Sequence, residues 1–290
     1  MGSIEIVLSA IVGLITIGTS LYALFRLWRG RLHVKRFIGE GDDHFEDSLQ
    51  LYERNFDDWE RDEPEEIERW LREAKLRRAS GDRSLEEYLL AAIWRQRPCG
   101  FFYGTFYGSR STLFVSYLVV DRGLDSRIVS RVSKKLFESV QKNLKSDGYE
   151  LTHIAAEVEV PATATTTKAR ERRKARIRRL LRIAKISQVP LRILDAEYLQ
   201  PKLDLRNKDK HEDSLLLLYA KVGDEMPIAL SRDEVTELFH FIYDELYGDC
   251  FMEDPTQDAE WRKYTADLRE RAILRLLERV RCLTRYQDMS

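Results

Sequence analysis

Residues Leu118–Val129 read LVVDRGLDSRIV. An apolar strand runs into a single glycine, and an Asp-Ser pair then opens a helix. Strand, tight turn and helix start form the geometry that cradles phosphates, because free backbone N–H groups point out of the turn. Such loops ordinarily carry two or three glycines, and here Gly123 stands alone. Asp125 or Ser126 is also an ordinary N-cap, with a side chain suited to the first helical N–H groups. The stretch therefore predicts the shape of a phosphate loop and leaves its chemistry open.

Working outward, helical periodicity covers roughly 44–61 and 64–79, broken at Pro64. Ser84 with Glu87 reads as a capping box and predicts a helix to about Arg97. Two β-rich runs follow, GFFYGTFYG and STLFVSYLVVD, with Ser109-Arg110 as a hairpin between them. A helix is expected from Asp125 to about Ser146, a strand over 150–160, and a basic helix over 165–187. Strands follow near 189–200 and 213–221. Ser231 and Glu234 cap an amphipathic helix whose inner face is Val235, Leu238, Phe239, Ile242, Tyr243 and Leu246. A last charged helix covers about 258–285. No internal repeat is present.

This order resembles the GNAT family of N-acetyltransferases. The words LYERNFDDWERDEPEEIERWL look like that fold's first helical segment, and FFYGTFYGSRSTLFVSYLVVD like its central strands. AEYLQPKLD followed by SLLLLY looks like its late strand pair. The resemblance spans about residues 44–247. It implies acetyl-coenzyme A as cofactor, held by an Arg or Gln followed by x-x-Gly-x-Gly or Ala at the helix start. The matching words are RGLDSR, Arg122–Arg127, which keep the leading Arg and one Gly. Asp125 stands where pyrophosphate charge would be repelled. The resemblance also implies a general base on the strand after the loop and a proton donor beyond it, which makes Glu157, Glu159 and Tyr198 the catalytic candidates. Alternation puts Glu157 and Glu159 on one face, where both are equally readable as solvated or as partners of the basic helix.

The N-terminus carries a different signal. Ile6–Phe25 is twenty residues without a charge, fourteen of them apolar. At about 1.5 Å per residue this reaches about 30 Å, the hydrocarbon thickness of a bilayer. Arg26, Arg29, Arg31, Lys35 and Arg36 crowd its far end. The positive-inside rule then puts the N-terminus outside and the bulk of the chain in the cytoplasm. Glu5, Ser9, Gly13, Thr16 and Ser20 share one face of this helix, either a packing face for small residues or, in an oligomer, the lining of a narrow pore.

Charge divides the chain sharply although the total is only −1. Residues 40–68 hold fourteen Asp and Glu, and residues 168–185 hold ten Lys and Arg against Glu171. Lys168, Arg170, Arg172, Arg173 and Arg176, with Arg122, Ser126 and Arg127 of the loop, are the candidate anion-binding residues. Pairing with the acidic segment is the alternative. Cys99, Cys250 and Cys282 and the five histidines have no metal-ligand spacing, so no metal is expected.

The fold class is therefore α+β. One transmembrane helix (1–28) and a juxtamembrane linker (29–43) precede a GNAT-like mixed sheet with flanking helices (44–247), and a C-terminal helical extension (248–290) follows. The first reading of function is an oligomeric effector, a tetramer, in a bacterial inner membrane. In it the catalytically degenerate domain, without cofactor, binds a nucleotide second messenger or oligonucleotide made by a nucleotidyltransferase and gates a pore. This architecture is similar to anti-phage membrane effectors such as the DNA-gated channel of the Hailong system. The alternatives are a membrane-tethered N-acetyltransferase and a ligand-free membrane scaffold.

Overall fold

The computed structural model describes residues 31–39, 41–56, 61–121, 123–201, 214–223, 230–248, 255–279 and 283–284. Ile6–Phe25, the stripe Glu5, Ser9, Gly13, Thr16 and Ser20, and Arg122 lie outside them. Among the described residues no helix is long and apolar enough to cross a membrane.

The elements in chain order are β1 (His33–Phe37), α1 (Phe45–Glu53), α2 (Pro64–Ser80), β2 (Leu85–Trp94), β3 (Arg97–Tyr107) and β4 (Thr112–Val120). After these come α3 (Ser126–Ser146), β5 (His153–Glu159), α4 (Thr167–Ile186), β6 (Arg192–Leu199) and β7 (Ser214–Lys221). The chain ends with α5 (Arg232–His240), a π turn (Phe241–Leu246), α6 (Pro255–Arg279) and β8 (Leu283–Thr284). The strands hydrogen-bond in the order β1-β2-β3-β4-β5-β7-β6-β8. β4 and β5 are parallel, with Thr112–Phe114 facing His153–Ala155. β1–β2, β5–β7, β6–β7 and β6–β8 are antiparallel. The chain is thus α+β, a mixed sheet with flanking helices, and its elements follow in the order that the GNAT resemblance implied.

Three expectations fail locally, one of them at the last helix, which ends at Arg279 rather than near 285 and is followed by Leu283–Thr284 paired as a strand with β6. The segment expected to be a helix after Ser84 is strand β2, with every residue from Glu86 to Ile93 buried. A strand covered on both faces reads as a continuous run rather than an alternating one, and burial outweighs the local cap signal. Its two acidic residues are accommodated by partners. Glu86 pairs with Arg78, and Glu87 accepts from Thr105 Oγ1 at 2.8 Å with Arg77 3.9 Å away. The segment read as linker contains β1, paired with Leu89–Ile93 and ending on the fully buried Phe37.

The fold comprises two compact units. The first, formed by the described residues within 31–76, 88–103 and 117–140, packs α1 and α2 on the sheet through Phe45, Leu49, Tyr52, Ile67 and Leu71. Gly100 lets α3 approach: a Cβ there would lie 2.5 Å from Val132 Cγ1 and 3.0 Å from Leu136 Cδ1. The second unit, formed by the described residues within 77–87, 104–116 and 141–284, has a sheet β5-β7-β6 covered on both faces. Ala156, Val158, Leu216 and Leu218 face Ile177 of α4. The alternate residues Ala155, Leu215 and Leu217, with Tyr198, face α5, the π turn and α6 through Phe239, Tyr243 and Trp261. The expected Ser231–Glu234 capping box is present at the start of α5.

Candidate functional site

In the loop that opens α3, the strand-to-helix turn closes on itself. Gly123 N–H donates to Asp121 Oδ1 at 2.9 Å, and Arg127 N–H donates to Asp125 Oδ1 at 2.8 Å. Asp125 is therefore the N-cap of α3, and two carboxylates already occupy donors that a phosphate would need. A pyrophosphate brings further negative charge against both. The described residues of the loop do not fit the pyrophosphate of a coenzyme A. Ser126 and Arg127 are exposed, and the Ser126 carbonyl accepts from Ser130 Oγ at 3.0 Å.

The opposite situation holds on β5. Glu157 is partly buried on the face that receives α5 and the π turn. Tyr198 from β6 donates its hydroxyl to Oε1, and Tyr247 donates to Oε2 at 2.7 Å. Burial pushes the Glu157 carboxyl from its usual 4.5 up to about 7, and the two tyrosine hydroxyls, which favour the charged form, only moderate this. Tyr198 is itself raised well above its usual value, first by burial and then by the charge of Glu157. A carboxyl near 7 has the pKa suited to taking and releasing a proton at neutral pH.

Glu159, two residues on, is held differently. Arg173 Nη2 donates to Oε1 at 3.0 Å and Arg176 Nη1 to Oε2 at 3.1 Å. Arg173 also donates to the Val160 carbonyl at 3.0 Å and to Thr163 Oγ1 at 2.8 Å, so it closes the end of β5. Of the basic residues expected to bind an anion, Arg173 and Arg176 are thus engaged by Glu159, Arg172 is half-buried, and Lys168 and Arg170 are exposed. The structure therefore brings Glu157 and Tyr198 together and sets Glu159 apart from them.

Tyr247 is the functional residue that the sequence reading missed. The aromatic series Phe239, Tyr243, Tyr247 at four-residue spacing is its signal, although the inner face read from the sequence ends at Leu246. The first unit repeats the theme once. Tyr117 donates to Asp62 Oδ2 at 2.8 Å, and burial raises the Asp62 carboxyl above its usual value. No cluster of His, Cys, Asp or Glu suited to a metal occurs among the described residues.

No family model matches the chain, and no curated protein matches it. Solved structures do. The chain is similar to the ribosomal-protein-S5-alanine acetyltransferase of Vibrio fischeri, with 10% identity over 68% of this chain and 96% of that one and a TM-score of 0.43. It is similar to the Salmonella typhimurium acetyltransferase that modifies the N-terminal serine of ribosomal protein L7/L12, with 12% identity over 67% and 95% and a TM-score of 0.40. A GNAT-family acetyltransferase of Streptococcus pneumoniae gives 14% identity over 67% and 100% and a TM-score of 0.39.

Proposed function

We propose that the chain is a membrane-tethered acyltransferase of the GNAT type in which Glu157 is the general base. The observation that carries this reading is the Glu157 carboxyl itself, held by two tyrosine hydroxyls and raised by burial to about 7. As the carboxylate it takes a proton from the acceptor's ammonium. The freed amine attacks the acyl carbonyl, a C–N bond forms, and the bond to the leaving group breaks. Glu157 then returns its proton to the leaving group, the second proton shed by the attacking nitrogen passes to solvent, and Glu157 ends as it began. Tyr198 and Tyr247 keep the carboxyl oriented throughout. The acyl donor is an activated ester or thioester, and the loop at Asp121–Asp125 gives no reason to assign it a pyrophosphate anchor there.

The test is acyl transfer to primary amines by the full chain. Glu157→Gln should lower the rate about 10²- to 10⁴-fold, the usual contribution of a positioned base. The native rate should rise with pH through about 7. Equal rates for both proteins would end this reading.

A second reading is favoured by the self-capped loop. In it the domain is degenerate, binds a nucleotide or oligonucleotide through Lys168, Arg170 and neighbouring cations, and gates an oligomeric pore lined by Glu5, Ser9, Gly13, Thr16 and Ser20 in anti-phage defence. It expects oligonucleotide binding that weakens steeply with salt, and no transferase activity from the native chain.

A further inference from the structure

The extension beyond the mixed sheet reaches the Glu157 carboxyl in two steps. Trp261 of α6 is fully buried, and its indole N–H donates to the main-chain carbonyl of Tyr247 at 2.7 Å. Tyr247 ends the π turn, its own N–H bonded to the Ile242 carbonyl at 3.0 Å, and its hydroxyl lies on Glu157 Oε2. The last carbonyls of any helix lack intrahelical donors, and Trp261 supplies one at the residue that touches the carboxyl.

The turn that carries Tyr247 is pinned from other directions as well. Arg269 of α6 pairs with Asp244, which also lies 2.7 Å from His240 Nδ1. Arg110, between β3 and β4, pairs with Glu237 and with Glu245, the latter at 2.6 Å. Tyr243 donates to the Leu199 carbonyl at 2.8 Å. A π turn inserts one extra residue into a helix and is seldom kept without a use. Here the fixed turn presents the Tyr247 hydroxyl, and the charged pairs hold the turn rather than the carboxyl.

We infer that α6 is a working part of the Glu157 centre: through Trp261 it fixes the backbone of Tyr247 and so keeps that hydroxyl on Glu157, which makes Trp261 and Tyr247 positioning residues. This rests on reading Glu157 as the proton-carrying group of the proposed function, and it holds whatever is transferred. Among the described residues, the titratable groups that touch Glu157 are Tyr198 from β6 and Tyr247 at the end of the π turn. β7 presents Leu217 opposite it, and α6 adds Trp261 and Leu268 to the same core.

The experiment is an infrared pH titration of the full chain, following the protonated-carboxyl stretch assigned to Glu157 by its loss in Glu157→Gln. Tyr247→Phe deletes a donor to the carboxylate and should move the midpoint upward by about one pH unit. Trp261→Phe keeps an aromatic ring and deletes the N–H. It should move the midpoint in the same direction, and the double variant should match Tyr247→Phe alone. Leu268→Ala, on the same helix and almost fully buried, should lower the melting temperature without moving the midpoint. The inference is overturned by any of three results: Trp261→Phe leaving the midpoint at its native value, additive shifts in the double variant, or an equal shift in Leu268→Ala. The expected shifts without any loss of transfer in Glu157→Gln would uphold the inference and remove the acyltransferase reading instead.

Discussion

Glu157 and Glu159 are two residues apart on one strand, yet they are held by different chemistry. Glu159 faces two guanidinium groups and so has fixed positive partners. Glu157 faces two hydroxyls, which donate hydrogen bonds but bring no charge to balance its own. Burial with a cation holds a carboxylate ionised, whereas burial with neutral donors leaves its proton in play near neutral pH. The lesson is that reactivity on β5 follows from what neighbouring elements bring to each carboxylate. The strand's own alternation treats the two alike.

The largest effect that tests this contrast on stability belongs to Glu157. Its folded value of about 7 stands above its ordinary 4.5, so the native state binds more protons than the unfolded state between them. Stability from this group is complete below about 4.5 and is lost as pH rises through about 7. Glu157→Gln mimics the neutral form and removes that loss. In denaturant unfolding, the variant should gain on the native chain by up to about 3 kcal/mol between about pH 5 and pH 8. Asp62 is unchanged in both proteins and cancels in the difference. A pH-independent difference would mean that burial does not raise the Glu157 carboxyl in the folded chain.

Glu159→Gln should behave in the opposite way. It leaves Arg173 and Arg176 facing a neutral amide while Arg173 still bonds the end of β5. Hydrogen bonds to charged groups of this kind contribute about 2 kcal/mol. A loss of that size is expected at neutral pH with the titration of Glu157 unmoved. A shift of the Glu157 midpoint in this variant would show that the two carboxylates act as one site.

Much of the fold was legible because periodicity and caps are local. The strand-to-helix turn at Gly123, the basic helix held at Thr166, and the Ser231–Glu234 box stand where the words placed them. β2 was not legible, because Ser84 and Glu87 imitate a cap while burial between neighbouring strands decides the outcome. The candidate site was half legible. Glu157 and Tyr198 were named through the family resemblance, but separating Glu157 from Glu159 required knowing what each meets across the fold. Tyr247 was missed for the same reason: the spacing of Phe239, Tyr243 and Tyr247 marks an aromatic face, but only the fold shows that the π turn sets Tyr247 on Glu157.

The smallest effect concerns a third way of holding a carboxylate, by backbone N–H groups, at the start of α3. Asp125 accepts from Arg127 N–H, and Asp121 accepts from Gly123 N–H. Among the described residues neither a hydroxyl nor a guanidinium is involved, so these groups contribute as an ordinary N-cap and turn. Asp125→Ala should cost about 1 kcal/mol in denaturant unfolding at neutral pH, the usual worth of an N-cap. It also frees an N–H and removes a negative charge at a helix N-terminus, where anions are otherwise favoured. Calorimetry should therefore find inorganic pyrophosphate binding more tightly to Asp125→Ala than to the native chain. If the native loop already binds pyrophosphate and the substitution changes nothing, the carboxylates do not close it. The contrast between a loop closed by its own carboxylates and a buried acid–base centre would then lose its first half.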